Sequence, residues 1–344
     1  LSFCSFEVLL IQGFGYLGTV YFKITFTYFW PLPLLHNIDI KLNMGVFYMQ
    51  IHFRNNCKIV NFGEDYYKIR NFLLKLNQPN FSFGRWDWMV THSDLDPSLL
   101  SEIGVWEHQS EIVALATFDC KLGQSYIYTL DSYKHLKQEM LAYAQQHLST
   151  KEQFEVLILD SDYEFQNIAA TAGFIASQGK QEEAILPIDS HPLSYSLPDG
   201  FRITSMAENY DLTQYGSVLW RGFNHELDGE GPFNPSEEQL VALQNEMKRP
   251  NVNLDLKIAV MNADGEFVAY CGMWYDSQSQ YAIVEPVATD PNYRRLGLAK
   301  AAVLEGIRRC GALGAKEAIV GSTQQFYYSI GFRPYQTSSW WIKK

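Results

Sequence analysis

Six consecutive residues near the carboxyl end, Arg294-Arg295-Leu296-Gly297-Leu298-Ala299, hold the groups best suited to chemistry. Before them runs an apolar, β-branched segment, Ala282, Ile283 and Val284, which continues through Glu285 to Val287, Ala288 and Thr289 and predicts a buried strand. Asp290-Pro291-Asn292 is a turn, and residues 300–310, rich in Ala and Leu, predict a helix. Strand, glycine-containing turn and helix together aim unpaired backbone N–H groups and the positive end of the helix dipole at one point. Gly297 and Ala299 let a ligand approach the backbone, and Arg294 and Arg295 add charge. The pattern asks for an anion, most simply a pyrophosphate. Glu285 lies in the same strand, two residues before Val287 and on its face, because strand side chains alternate. A partly buried Glu there would have a raised pKa and serve as a base. Equally, it could hydrogen-bond backbone where Pro286 interrupts strand pairing, and both readings stand. His225 and Glu226 are the next candidates for a base; Cys271 and Cys310 have no His at motif spacing, so covalent catalysis is not expected.

The spacing Arg-x-x-Gly-x-Ala formed by Arg294, Gly297 and Ala299, between strand and helix, resembles the acetyl-CoA signature of the GNAT (Gcn5-related) N-acetyltransferases. Downstream, Ala318-Ile319-Val320 predicts another strand, and Tyr327-Tyr328-Ser329-Ile330-Gly331-Phe332 resembles the family's closing Tyr-x-x-x-Gly-Phe. The resemblance implies a mixed-sheet α/β fold and transfer of an acetyl group from acetyl-CoA, as co-substrate, to a primary amine by direct attack. It implies that Arg294, Arg295, Leu296, Gly297, Leu298 and Ala299 cradle the acetyl-CoA, with Val287 and Thr289 pairing their backbone with the pantetheine as an added strand would. A backbone N–H near Val287 would face the thioester oxygen. Tyr327 matches the general acid that protonates the departing thiolate, and Tyr328, beside it on a helix, is read as packing. The alternatives are an acyl-CoA-binding regulator without turnover, and a protein or peptide N-acetyltransferase.

The elements that must position these residues occur twice. In the first half, residues 103–107 and 112–118 read as a strand hairpin, 125–130 as a strand, 133–148 as a helix, 154–159 as a strand and 164–172 as a helix ending at Gly173-Phe174. In the second, 266–274 matches the 112–118 strand, 281–289 matches 125–130, and Gly331-Phe332 matches Gly173-Phe174, a span of about sixty residues in each copy. Aligning Tyr133 with Tyr293 sets Lys137 over Gly297; counting back from the Gly-Phe sets Ala169 over Tyr327. The first copy therefore lacks both the glycine and the tyrosine, and resembles the degenerate half of a tandem-GNAT protein. Residues 185–198, with Pro187, Pro192 and Pro198, read as the linker. The expected division is an apolar leader at 1–43, a degenerate GNAT-like domain at 44–190 and a catalytic GNAT domain at 191–344. Upstream of the first copy, 66–76 reads as a helix and the cluster Arg85-Trp86-Asp87-Trp88-Met89 as packing between elements. In the second, 211–223 reads as a helix with Asp211 as its N-cap and 237–247 as another, separated by an acidic, glycine-rich loop at 224–232, a candidate for amine recognition or a solvated surface loop.

At 344 residues the chain is long enough for two cores, and 47% hydrophobic residues can fill them. The net charge of −11 argues against nucleic acid or an anionic membrane as main partner and suits a cationic substrate. Five scattered cysteines without a C-x-x-C pair, and histidines without ligand spacing, predict reduced thiols, a cytoplasmic location and no metal. A homodimer is a candidate assembly. The leader contains Gly13-x-Gly15-x-x-Gly18 with Asp39 beyond it, but β-branched and aromatic residues follow where a dinucleotide fingerprint needs a helix. No stable membrane association is expected of it, and Met44 or Met49 is its expected downstream limit.

Overall fold

The computed structural model describes residues 5–8, 22–25, 51–55, 62–90, 92, 94–190 and 192–343. The chain divides into two compact units, Leu1–Tyr48 and Met49–Lys344. In the first, β1 (Ser5–Val8) and β2 (Phe22–Thr25) form an antiparallel pair. The glycine motif of the leader, Asp39, Met44, Cys4 and Cys57 lie outside the described residues.

The second unit runs β3 (His52–Asn55), α1 (Glu64–Leu76), α2 (Phe83–Met89), β4 (Gly104–His108), β5 (Glu111–Asp119) and β6 (Lys121–Thr129). It continues with α3 (Lys137–His147), β7 (Glu155–Leu159), α4 (Tyr163–Thr171) and β8 (Phe174–Pro187). Then come β9 (Arg202–Ser205), α5 (Leu212–Gly222), α6 (Glu237–Met247), β10 (Lys257–Met261), β11 (Phe267–Trp274) and β12 (Tyr281–Thr289). The chain closes with α7 (Leu298–Ala312), β13 (Glu317–Val320), α8 (Gln325–Ser329) and β14 (Arg333–Lys343).

All twelve strands of this unit form one sheet, ordered β3-β4-β5-β6-β7-β14-β8-β13-β12-β11-β10-β9. The sequence β5-β6-α3-β7-α4-β8 recurs as β11-β12-α7-β13-α8-β14. In each copy one pair is parallel, β6 with β7 and β12 with β13, the arrangement a crossover helix imposes. Each copy's short last helix ends at a left-handed glycine, Gly173 at φ +88° and Gly331 at φ +110°, which turns the chain into its final strand. Those final strands change places: β14 pairs with β7 of the first half, and β8 pairs with β13 of the second. β8 and β14 also pair with each other along most of their length.

Packing follows from the pattern. The face of α7 that holds Ala302, Val303, Leu304 and Ile307 is buried with Ile258, Cys271 and Met273 of the sheet, each full-size side chain contributing about 1.5–3 kcal/mol by leaving water. The core of the first half is built on Trp86, Trp106, Tyr66 and Phe118 and continues without a break into Trp274, Tyr281, Ile283 and Ile319 of the second. Between the halves, Arg70 Nη1 meets Asp276 Oδ2 at 2.7 Å, and the Tyr281 hydroxyl donates to the Gln78 carbonyl at 2.8 Å. No helix among the described residues is long and apolar enough to cross a membrane.

Three elements differ from the sequence reading. Residues 185–187 belong to the end of β8 and not to a linker, because Ala184, Ile185 and Leu186 are buried against both halves. The cluster Arg85-Trp86-Asp87-Trp88-Met89 lies within the helix α2, started by the Ser82 hydroxyl, which accepts from Arg85 N. The helix expected at 133–148 begins as α3 only at Lys137; residues Asp131–Leu136 form a 3-10 turn before it.

Candidate functional site

The anion cradle forms where β12 turns into α7. Arg295 at φ +66° and Gly297 at φ +82° both adopt the left-handed conformation, and this double turn delivers the chain to the first helical residue, Leu298. The opening N–H groups of any helix have no intrahelical partner, so those of Leu298, Ala299 and Lys300 are available to a ligand. A Cβ built on Gly297 would meet nothing within 4 Å; the space beside its Cα is cavity. Leu298 is buried and Leu296 exposed, while Arg295, Gly297, Leu298, Ala299 and Lys300 all border the groove. Arg294 borders it too and also braces it: its guanidinium donates to Thr289 O at 3.2 Å, to Gly222 O at 2.9 Å and to Asn224 Oδ1 at 2.6 Å. The arginine thus pins the end of α5 to the cradle. α5 comes this close because Gly222 has no side chain; a Cβ there would stand 2.6 Å from Ala288 Cβ.

β12 and β13 pair only from Tyr281 to Ile283 and then part. On the opposite edge β12 carries a bulge: Cys271 faces Val287 whereas Met273 faces Val284, so Glu285 and Pro286 share a single partner, Gly272. The Trp274 indole N–H donates to the Glu285 carbonyl at 3.0 Å and holds the bulge. The splay opens two cavities. One, of about 810 Å³, runs from the cradle past Val287 and Thr289 to Tyr327. The other, of about 470 Å³, is walled by Arg85 and Asp119 of the first half, by Glu183 of β8, and by Glu285. Phe223, Val287, Gln324 and Tyr327 border both.

Tyr327 is 8% exposed, and its ring packs edge-on against Phe326 and Phe332 at centroid distances of 5.0 and 5.6 Å. Burial, then the neighbouring Cys271 and Glu285, push its hydroxyl well above the usual phenol range, so it stays protonated. Burial is the largest influence on Glu285 and raises its pKa; Arg85 opposes, Asp119 reinforces and Lys257 opposes. Its side chain keeps 47% exposure, because it opens on the cavity while protein surrounds it on the other sides. Arg85 Nη1 lies 3.0 Å from Glu285 Oε1, and Arg85 Nε lies 2.7 Å from Asp119 Oδ2.

The structure therefore brings Tyr327, Glu285, Val287, Thr289 and the 294–299 turn to one cleft, with Leu296 facing outward. His225 and Glu226 border neither cavity; His225 stacks on Trp220 at 4.1 Å and pairs with Glu230 at 2.7 Å, and only the start of that loop, at Phe223 and Asn224, reaches the groove. Cys120, Cys271 and Cys310 are free and buried; burial pushes the Cys120 and Cys310 thiols up to about 12 and Cys271 higher still, which leaves them poor nucleophiles. Among the described residues no group of three or more His, Cys, Asp or Glu could hold a metal ion. In the first half, the splay between β6 and β7 is a cavity of about 290 Å³ where the Lys137 ammonium is hydrogen-bonded to the Asp162 carboxylate, and Ala169 offers no hydroxyl. Sequence reasoning missed Arg85 and Asp119; the sole local sign was a charge set among the aromatic residues of α2.

Residues 220–332 match the family model described as the Acetyltransferase (GNAT) family. No curated protein matches the chain. Among solved structures, a GCN5-related N-acetyltransferase from Sphaerobacter thermophilus aligns over 85% of this chain and 95% of its own, at 17% identity and a TM-score of 0.51. A tandem GNAT protein from the clavulanic acid biosynthesis pathway aligns over 85% of this chain and 98% of its own, at 12% identity and a TM-score of 0.53. At such identities the likeness is one of fold: a mixed α/β architecture in the tandem-GNAT arrangement.

Proposed function

We propose that this chain, whose residues 220–332 match the GNAT acetyltransferase family model, moves an acetyl group from acetyl-CoA to a primary amine in one direct step. The observation that carries the reading is the meeting of two cavities at Tyr327, one leading to the anion cradle and the other walled by carboxylates. Asp119 and Glu285 stand in that second cavity against a single arginine, Arg85, among its described lining residues, a net negative field that draws in a cationic acceptor. Val287 and Thr289 would pair with the pantetheine, and the turn at Arg294, Arg295, Leu296, Gly297, Leu298 and Ala299 would take the pyrophosphate on its backbone N–H groups.

The ammonium gives a proton to Glu285, and the freed amine attacks the thioester carbonyl carbon. A backbone N–H near Val287 stabilises the oxyanion as it develops. The carbon–sulfur bond breaks, and the sulfur leaves with the bonding pair and takes the Tyr327 proton. The nitrogen sheds its second proton to restore the Tyr327 hydroxyl, and Glu285 releases the first proton to solvent. Domain 191–344 would carry the chemistry, with 44–190 as a degenerate partner. The buried free thiols fit a reducing cytoplasm.

Calorimetric titration with acetyl-CoA, followed by CoA thiol release against a panel of amines, tests this. One binding site per chain and amine-dependent release are expected. Binding without release from any amine would make the protein an acyl-CoA-binding regulator, and absence of binding would end the reading.

A further inference from the structure

The catalytic half does not build its acceptor wall alone. Arg85 sits on α2 of the first half, yet its guanidinium lies 3.0 Å from Glu285 Oε1, across 200 residues of sequence. Two contacts fix it there: Asp119 Oδ2 accepts from Nε at 2.7 Å, and the guanidinium carbon stands 3.9 Å from the centre of the Trp88 ring. An arginine held on an aromatic face and by one carboxylate is already oriented before it meets a second. We infer that Arg85 is a positioning residue for acetyl transfer: from the first half, it holds the Glu285 carboxylate at the junction of the two cavities.

The inference rests on Glu285 as the base, and it gives the degenerate half a part in the reaction. Arg85 engages Oε1, so the acceptor ammonium would meet Oε2. A base in a cleft that favours its protonated form needs a cation beside it to stay ionised near neutral pH. The charged or titratable groups around Glu285 are Arg85 from α2, Asp119 at the end of β5, Tyr126 from β6, Glu183 from β8, Lys257 from β10 and Tyr327 from α8. Among these Arg85 gives the largest opposing influence to burial, and Asp119 acts against it. Removing Arg85 should therefore raise the Glu285 pKa, and neutralising Asp119 should lower it.

The experiment is the pH profile of kcat/KM for acetyl transfer to a reactive amine, for wild type and the variants Arg85→Gln, Arg85→Lys, Asp119→Asn and Glu285→Gln. Acetyl-CoA affinity is followed by calorimetry in parallel. Arg85→Gln should move the acidic limb up by about one pH unit, the low end of the range for an adjacent opposite charge because the pair is partly exposed. Its acetyl-CoA affinity should stay within about twofold of wild type. Arg85→Lys should restore most of the limb's position. Asp119→Asn should move it the other way, which keeps the test open if Arg85→Gln does not fold. Glu285→Gln should erase the limb; if it does not, Glu285 is not the base and the underlying reading fails. If Glu285→Gln erases the limb while Arg85→Gln and Asp119→Asn leave it in place, Arg85 only packs, and this inference alone is overturned.

Discussion

Tyr327 and Glu285 line the same cavity, and burial raises the pKa of both. Burial pushes the Tyr327 hydroxyl up, and Glu285 pushes it further, so it is a proton donor throughout the neutral range. If Tyr327 is the general acid as proposed, Tyr327→Phe should lower kcat by about 10²–10⁴, with acetyl-CoA affinity by calorimetry unchanged. Full turnover in that variant would mean that water protonates the thiolate. The place of Tyr327 in the cleft was legible in the sequence because the spacing that nominates it, Tyr-x-x-x-Gly-Phe, lies within one short segment. Arg85 was not. Its partner is 200 residues away, and no local pattern reports a contact that only the sheet's assembly creates.

The elements around the cleft depend on side chains that are missing. A Cβ on Gly272 would lie 2.6 Å from the Glu285 carbonyl oxygen and 2.9 Å from Pro286 Cδ, so the bulge that presents Glu285 closes only over a glycine. Gly272→Ala should destabilise the protein by about 1–3 kcal/mol, the cost of overpacking a close contact, seen as a lower Tm and as lost turnover. An unchanged Tm would mean that β12 shifts without cost. Gly297→Glu should abolish acetyl-CoA binding, because it places a carboxylate in the cradle and forces a side chain on a residue at φ +82°; calorimetry reads this directly. The strand–turn–helix of β12 and α7 was legible because an apolar strand and an Ala- and Leu-rich helix announce themselves by periodicity. β8 was not, since Ser177, Gln178, Gly179, Lys180, Gln181, Glu182 and Glu183 show no apolar alternation. Its neighbour β14 supplies the partner that the local pattern lacks.

At the scale of the whole molecule, the repeat was visible in the order of elements, but the exchange of final strands was not, because the order of elements along the chain does not specify which neighbour a strand pairs with. The exchange joins the two halves in one sheet, and Glu183 is buried where β8 passes from β14 to β13. This carboxyl is 2% exposed; burial raises its pKa to about 7, with the Gln336 and Gln181 side chains opposing and Glu182 reinforcing. In the unfolded chain the same group titrates near its ordinary 4.5. Between these values the folded state holds a proton that the unfolded state has released, so stability falls as pH rises from about 4.5 to about 7 and then levels off. The loss above pH 7 is on the order of 3 kcal/mol. Glu183→Gln removes the proton without removing the polar group. It should flatten the fall in Tm between pH 5 and pH 8 and melt several degrees above wild type at pH 8. Other groups titrate in this range, so the decisive quantity is the difference between the two curves. Parallel curves would mean that water or a rearranged partner already neutralises the cost of the charge at the strand crossing.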